Sequence, residues 1–386
     1  MKRLMYILVG LFRLLPVKNM VLFESMSGFQ DNSKALFEEM MRQRLNQKYK
    51  IIWFVADPKR MNDLGYDKVR FMKKSGITRK SIRYLYYSCV AKYCFYTHEV
   101  LGYRKDGQQI RFFLTHGTPL KDSRGCFGEV DAHTYILSTS EYAGTLRATS
   151  LLGGEDKMQI LGFPRNDKLF CEDTDTDTAR FLAKYEYAKL VVWLPTFKHI
   201  HNSDRVDFAT DSATDVSLMS PAFFEQLNAK LVATKTLLVI KFHPNQDLRF
   251  VPFYQMSNIV TLSNMEMLQE RIDLYALLGK SDALITDFSS VYFDYLLLNK
   301  PIGFELGDMA NYSSGRGFLV DEPLDYMPGT KIHTEADFLQ FIEELAVNSD
   351  AYVLERAKLC TKMNRFYDNN AAKRILEFLE MDGTTL

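Results

Sequence analysis

Short apolar runs alternate along most of the chain with stretches in which hydrophobic residues recur every three or four positions. The runs MVLFES (20–25), KIIWFVA (50–56), YCFYTH (93–98), IRFFLTH (110–116), YILSTS (135–140) and MQILGF (158–163) are rich in β-branched and aromatic residues and predict strands. After the first, Gly28 marks a turn, and Phe37, Met40, Met41 and Leu45 recur at helical spacing while Lys34, Glu38, Glu39 and Arg42 face elsewhere. This predicts a covering helix with Asp31 or Ser33 as its cap. SIRYLYYSCVAKY (81–93) predicts another helix. Strand and helix in regular alternation are the signature of parallel α/β architecture, so this portion predicts one complete doubly wound domain.

The polar stretch CEDTDTDTAR (171–180) then reads as a loop or linker feeding a new helix. A second alternation follows in KLVVWLPTF (189–197), TLLVIKFHPN (236–245), NIVTLS (258–263), DALITD (282–287) and PIGFEL (301–306). Residues 198–220 are polar enough for a mobile loop, and 334–382 predict three successive helices, the last of which, AAKRILEFLE, is a candidate to pack back across the other domain. The expected division is a segment at 1–18, a domain at 19–175 and a second at 176–386.

Composition narrows the picture. A chain of 386 residues, 47% hydrophobic, is long enough for two cores. Its 48 basic and 48 acidic residues cancel, so no broad positive field exists to hold a nucleic-acid backbone. Cys89, Cys94, Cys126, Cys171 and Cys360 are odd in number and lack a C-x-x-C pair, which argues against a disulfide framework and a structural zinc site and fits a reducing cytoplasm. The start, MKRLMYILVGLFRLLPVKNM, has no small-residue cleavage pattern, and Arg13 interrupts it short of the roughly 20 apolar residues of a spanning helix. Two readings stay open for residues 1–18. With Lys2, Arg3, Arg13 and Lys18 around Leu4, Ile7, Leu8, Leu11 and Leu14, the segment suits a membrane interface, or it packs as an amphipathic helix on the protein's own surface.

Two open sheets place the carboxyl ends of their strands toward a common crevice, where ligands of such folds bind. Polar groups fall at those ends: His116 opens HGTPLK, His243 opens HPN, and Asp287 opens FSS, each after an apolar run. Thr286, Asp287, Ser289 and Ser290 at the start of a helix suit a phosphate or pyrophosphate, through hydroxyls and unpaired amides; helix capping alone is the competing account. HGTPLK supplies a histidine, the flexible Gly117, the Thr118 hydroxyl and Lys121, which suit proton transfer beside an anion; a histidine bonded to a backbone carbonyl is the alternative. His243 is either a functional group or a histidine fixed in a turn by Pro244. GFPRND (162–167) reads as a turn into a helix with Asn166 and Asp167 in its first turn, and Arg165 either clamps a phosphate or forms a surface salt bridge. There is no phosphate-binding G-x-x-x-x-G-K-[ST], no G-x-G-x-x-G after the first strand, no G-x-S-x-G and no metal-spaced histidine pair in a helix. No cofactor is expected and no metal ligand is assigned, HIH (199–201) lying in the polar loop.

The segments HGTPLK (116–121), GFPRND (162–167), LPTF (194–197), KFHPN (241–245), LITDFSSVYFDYLLLNKPIGF (284–304) and RGFLVDEPLDYMPGT (316–330) resemble, in this order, the CDP-glycerol glycerophosphotransferase family of teichoic acid primases and polymerases. The resemblance spans roughly residues 20–380. It implies a GT-B-like fold of two doubly wound Rossmann-like domains facing a central cleft, with the donor nucleotide held mainly by the carboxyl-terminal domain. It also implies transfer of glycerol phosphate from CDP-glycerol, or of ribitol phosphate from CDP-ribitol, to a hydroxyl of a lipid-linked saccharide or teichoic acid acceptor, with release of CMP. Carried over by position, His116 is the expected base on the acceptor hydroxyl and His243 the group near the donor phosphates. Ser289 and Ser290 hold the pyrophosphate, Asp287 caps or orients their turn, and Arg316 stabilises charge. The expected location is the cytoplasmic face of the bacterial membrane, peripherally bound. Phe288 stands where the family usually has tyrosine, and Asp122 where a second basic residue is common. A GT-B glycosyltransferase using a sugar nucleotide, and a silent glycan-docking protein, are the rival readings.

Overall fold

A computed structural model describes residues 2–25, 28–73, 82–98, 107–124, 129–171, 176–195, 221–241, 256–306 and 317–381. The chain divides into two compact units, one of Met1–Pro119, Ser123–Asp167 and Met363–Leu386, the other of Leu120–Asp122 and Lys168–Lys362.

The first unit is built on β1 (Lys18–Glu24), β2 (Lys50–Val55), β3 (Val69–Lys73), β4 (Ala91–Tyr96), β5 (Ile110–Phe113), β6 (Tyr135–Ser138) and β7 (Met158–Ile160), in the order β3-β2-β1-β4-β5-β6-β7. All neighbours are parallel. Side chains of successive strand residues point to opposite faces, and here both faces are covered. Val21, Phe23, Ile51, Trp53 and Phe95 enter one core with the helix Asp31–Arg42. Leu22, Ile52, Phe54, Cys94 and Tyr96 enter the other with the helix Ile82–Val90. Register aligns Phe23 with Trp53 and with Phe95, and its ring stacks on theirs at 5.2 and 5.3 Å.

The second unit repeats the plan with β8 (Lys189–Leu194), β9 (Thr236–Lys241), β10 (Ile259–Leu262), β11 (Ala283–Thr286), β12 (Ile302–Glu305) and β13 (Thr330–Ile332), in the order β10-β9-β8-β11-β12-β13. Val191, Trp193, Leu238, Ile240 and Ile285 pack beneath the helices Pro221–Ala233 and Glu335–Ala346. Each sheet is therefore a doubly wound, Rossmann-like structure whose strand order reverses at one point, between β1 and β4 in the first and between β8 and β11 in the second.

The strands differ from the sequence expectation in number. The pattern gave no sign of β3 or of β13, which are edge or near-edge strands of five and three residues, too short to show a period. The helix expected over 81–93 stops at Val90, because β4 begins at Ala91 and pairs with β1. Neither Asp31 nor Ser33 caps the helix Asp31–Arg42: Asp31 adopts a left-handed backbone (φ 67°), and the Ser33 hydroxyl donates instead to the Glu24 carbonyl at 3.0 Å.

The amino-terminal helix Lys2–Arg13 packs on the first unit through Val9 and through Phe12, whose ring meets Tyr86 edge-on at 5.6 Å. Ile7, Leu11 and Leu14 remain exposed, Leu14 by 82%. The carboxyl-terminal helix Ala371–Phe378 inserts Ala372, Ile375 and Leu376 into the core of Val21 and Phe23. Its start is held across more than two hundred residues of sequence by Asp167, whose carboxylate accepts the Ala371 and Ala372 amides at 2.8 and 2.9 Å. Replacing Asp167 by alanine strips two helix-terminal amides of their acceptor, and the loss of such a cap costs about 0.5–2 kcal/mol. Asp167→Ala is expected to lower the thermal midpoint and to speed amide exchange in residues 371–378; unchanged exchange there would contradict this anchoring.

Candidate active site

In the second unit the relevant end of the sheet is that of β8 and β11, where the strand order reverses. Thr286 closes β11, and its hydroxyl donates to the Leu194 carbonyl at the end of β8 (3.3 Å). The chain then turns: Asp287 Oδ1 accepts the Ser289 amide at 2.9 Å, the bond by which aspartate closes a local turn. Helical backbone proper starts at Val291, four residues later than expected, and the Ser290 side chain caps nothing. Asp287 thus shapes the turn, and Ser289 and Ser290 sit partly exposed at its head.

Leu120–Asp122 of the HGTPLK segment belongs to this second unit. It runs antiparallel to Gly317–Leu319, with the Asp122 amide donating to the Gly317 carbonyl (3.0 Å) and the Leu319 amide to that of Leu120 (2.8 Å). Lys121 Nζ lies 3.9 Å from Asp287 Oδ2 and 5.8 Å from the centre of the Phe288 ring, which meets Phe318 edge-on at 5.4 Å. Three motifs distant in sequence therefore converge within one unit, and Phe288 serves as an apolar wall under the ammonium. A further cation escaped the sequence reading. Lys241 ends β9, and burial pulls its ammonium down to about 8. Its signal was present as the single charge in the apolar run TLLVIKF. His243 and Arg316 lie outside the described residues.

In the first unit, His116 follows β5 on a loop of unusual backbone. Thr115 has φ 54°, rare for a β-branched residue, and Gly117 has φ 135°. Four consecutive carbonyls are taken by side chains rather than by backbone amides. Asn32 Nδ2 donates to those of Leu114 and Thr115 (3.0 and 3.3 Å), Arg165 Nη1 to that of His116 (3.0 Å), and Arg147 Nη2 to that of Gly117. Arg165 also pairs with Asp31 at 2.6 Å, and its amide donates to Asn32 Oδ1 at 3.3 Å. The sequence offered Arg165 as a phosphate clamp or a surface salt bridge; it is instead buried in an ion pair beneath the loop. Asn166 and Thr118 are buried as well.

His116 Nδ1 contacts the Thr97 carbonyl at 3.4 Å. A carbonyl only accepts, so Nδ1 carries the proton and Nε2 holds the basic lone pair. Burial first, then Arg147, with Asp31 opposing and Arg165 adding, pulls the imidazole down to about 4. It is neutral near pH 7 and so able to accept a proton. Among the described residues, no group of three His, Cys, Asp or Glu side chains is arranged to hold a metal ion.

Sequence comparison agrees with this arrangement of motifs. Residues 7–381 match the profile of CDP-Glycerol:Poly(glycerophosphate) glycerophosphotransferase. The chain belongs to this family. It is 23% identical to the teichoic acid glycerol-phosphate transferase of Staphylococcus aureus, over 94% of this chain and 93% of that protein. It is 24% identical to the teichoic acid glycerol-phosphate primase of Bacillus subtilis, over 92% and 90%. Among solved structures, the wall teichoic acid polymerase TagF superposes with a TM-score of 0.74 at 21% identity, covering 98% of this chain and 94% of that one. The two Rossmann-like units of this glycerophosphotransferase family member are thus of the GT-B-like class.

His116 and His133 set an acid limit on stability. His133, bonded through Nδ1 to the Tyr96 hydroxyl at 2.6 Å and stacked on Phe113, is pushed down to about 3, chiefly by burial and then by Arg111. For both histidines the folded value lies below the ordinary 6.5, so protons bind the unfolded chain more readily. Stability is then whole above about pH 6.5 and declines as pH falls toward 4 and 3, with up to about 1.4 kcal/mol per pH unit for each histidine. Urea unfolding between pH 7 and 4.5 is expected to show this slope, and His133→Gln to show a shallower one.

Proposed function

We propose that the protein transfers glycerol phosphate from CDP-glycerol to a hydroxyl of a membrane-linked glycan or teichoic acid acceptor and releases CMP. The observation that carries this reading is Lys121. It lies against Asp287 at the head of the Ser289–Ser290 turn, and in the same loop, five residues earlier, stands the neutral imidazole of His116. One continuous segment therefore carries both the proposed base and, five residues later, the cation that lies against Asp287 at the anion-binding turn.

In this reading His116 Nε2 takes the proton of the acceptor hydroxyl, whose oxygen attacks the phosphorus that bears glycerol. The bond from that phosphorus to the bridging oxygen breaks, and CMP leaves with the electron pair. Ser289, Ser290 and Lys121 hold the diphosphate, and His243, Lys241 and Arg316 offset the charge that gathers on the leaving group. Phosphoryl transfer asks chiefly for such positioning and electrostatics. TagF has been soaked with CDPG in a variant form, which supports a cytidine donor in this family.

The acceptor is reached at the inner face of the cell membrane. The helix Lys2–Arg13 offers Ile7 and Leu11 to the outside, followed by Leu14, with Arg13 and Lys18 close by in sequence. No helix among the described residues is long and apolar enough to cross a membrane, and an exposed apolar edge beside cations suits insertion into an anionic lipid interface.

His116→Ala is expected to lower CMP release from CDP-glycerol by roughly 10²–10⁴-fold, the range of a general base, with an unchanged circular dichroism spectrum. Full activity in the variant, or equal turnover of UDP- and GDP-sugars, would overturn the assignment. In flotation with anionic vesicles, a Leu11→Glu and Leu14→Glu double variant is expected to stay with the soluble fraction while the parent protein floats.

A further inference from the structure

Carbonyls in a surface loop ordinarily find water or a neighbouring amide. The four from Leu114 to Gly117 accept from buried side chains, and these partners come from three separate places: Asn32 from the helix after β1, Arg165 from the turn after β7, and Arg147 from the helix Glu141–Leu151. Asn32, Arg147 and Arg165 are each at least nine-tenths buried. Two buried guanidinium groups beneath one loop repel each other and cost desolvation, and Asp31 is paired with Arg165. A fold that needed only to cover its sheet could close this loop with apolar residues. The left-handed Thr115 shows that the loop is also held away from its preferred backbone.

We propose that Asn32, Arg147 and Arg165, with Asp31 as counter-ion, form a positioning scaffold that fixes the His116 loop and sets the proton affinity of its imidazole. The inference rests on His116 as the base of the proposed transfer. The scaffold residues touch the loop's backbone rather than substrate, so they act through His116. The charged groups bearing on the imidazole are Arg147 and Arg165, which disfavour its protonation, and Asp31, which favours it. Thr97 fixes the tautomer from the end of β4.

Opposite charges give the scaffold a signature that loosened packing lacks. Arg147→Gln keeps a donor for the Gly117 carbonyl but removes a cation, so the His116 titration is expected to move up by about one pH unit. Asp31→Asn removes the anion and is expected to move it down by a similar amount. Both variants are expected to lower kcat for CMP release at least tenfold, with KM for CDP-glycerol changed less than about threefold, and Arg147→Lys is expected to restore the pH profile of the parent. The titration is read twice: from the acid limb of kcat/KM, and from imidazole nitrogen shifts in the full chain labelled at histidine. The second readout needs no substrate, so it stands even if CDP-glycerol proves not to be the donor. Shifts in the same direction for the two variants, no shift in either, or losses confined to KM would overturn the scaffold. If Asp31→Asn fails to fold, Arg147→Gln and Arg147→Lys decide between the outcomes, since only a charge effect separates them.

Discussion

Both sheets are buried on their two faces, and this single constraint governs where chemistry is placed. A strand covered by helices on each side tolerates almost nothing but apolar residues, which is why Val191–Trp193, Leu237–Ile240 and Ala283–Ile285 are fully desolvated. Polar function is then confined to the ends of the strands and the loops that leave them. The point where strand order reverses is special, because neighbouring connections there depart to opposite faces and leave a gap. The TDFSS turn follows β11 at such a point in the second unit. In the first unit the corresponding strands are β1 and β4, and His116 reaches the Thr97 carbonyl just beyond β4.

The two sites solve different electrostatic problems with the same means. At the Ser289–Ser290 turn, which the proposed transfer uses to receive negative charge, the two serines are partly exposed and Lys121 Nζ lies 3.9 Å from Asp287 Oδ2. At His116 the imidazole is held neutral by burial and by cations beneath the loop, which bond backbone carbonyls and raise the cost of a further positive charge.

Much of this was legible in the sequence because it depends on pattern. Eleven strands announced themselves as apolar runs, and the motif order identified the family before any contact was known. β3 and β13 were not legible, since a five-residue VRFMK and a three-residue TKI carry too few positions to display alternation. Asp31 was read as a cap because its chemistry and position fit one, yet its partner is Arg165, 134 residues away. Arg147 sits in an unremarkable helix and gave no signal. Asp167 looked like a first-turn residue of its own helix and caps another one. These misses share a cause: local sequence states what a side chain can do, while the three-dimensional neighbour decides what it does.

The same distinction explains why the loop at His116 is assembled from long-range side chains rather than from a tighter local turn. A turn closed by its own amides would fix the backbone at little cost, but would leave the imidazole's environment to water. Here two of the carbonyls are bound by guanidinium groups and two by Asn32, which accepts the Arg165 backbone amide, while Arg165 pairs with Asp31 and repels Arg147. Geometry and proton affinity are therefore set by one network, and neither can drift without the other. That coupling accounts for the presence of buried charge where apolar residues would give a cheaper fold, and it locates the strain of Thr115 on the segment whose position matters most.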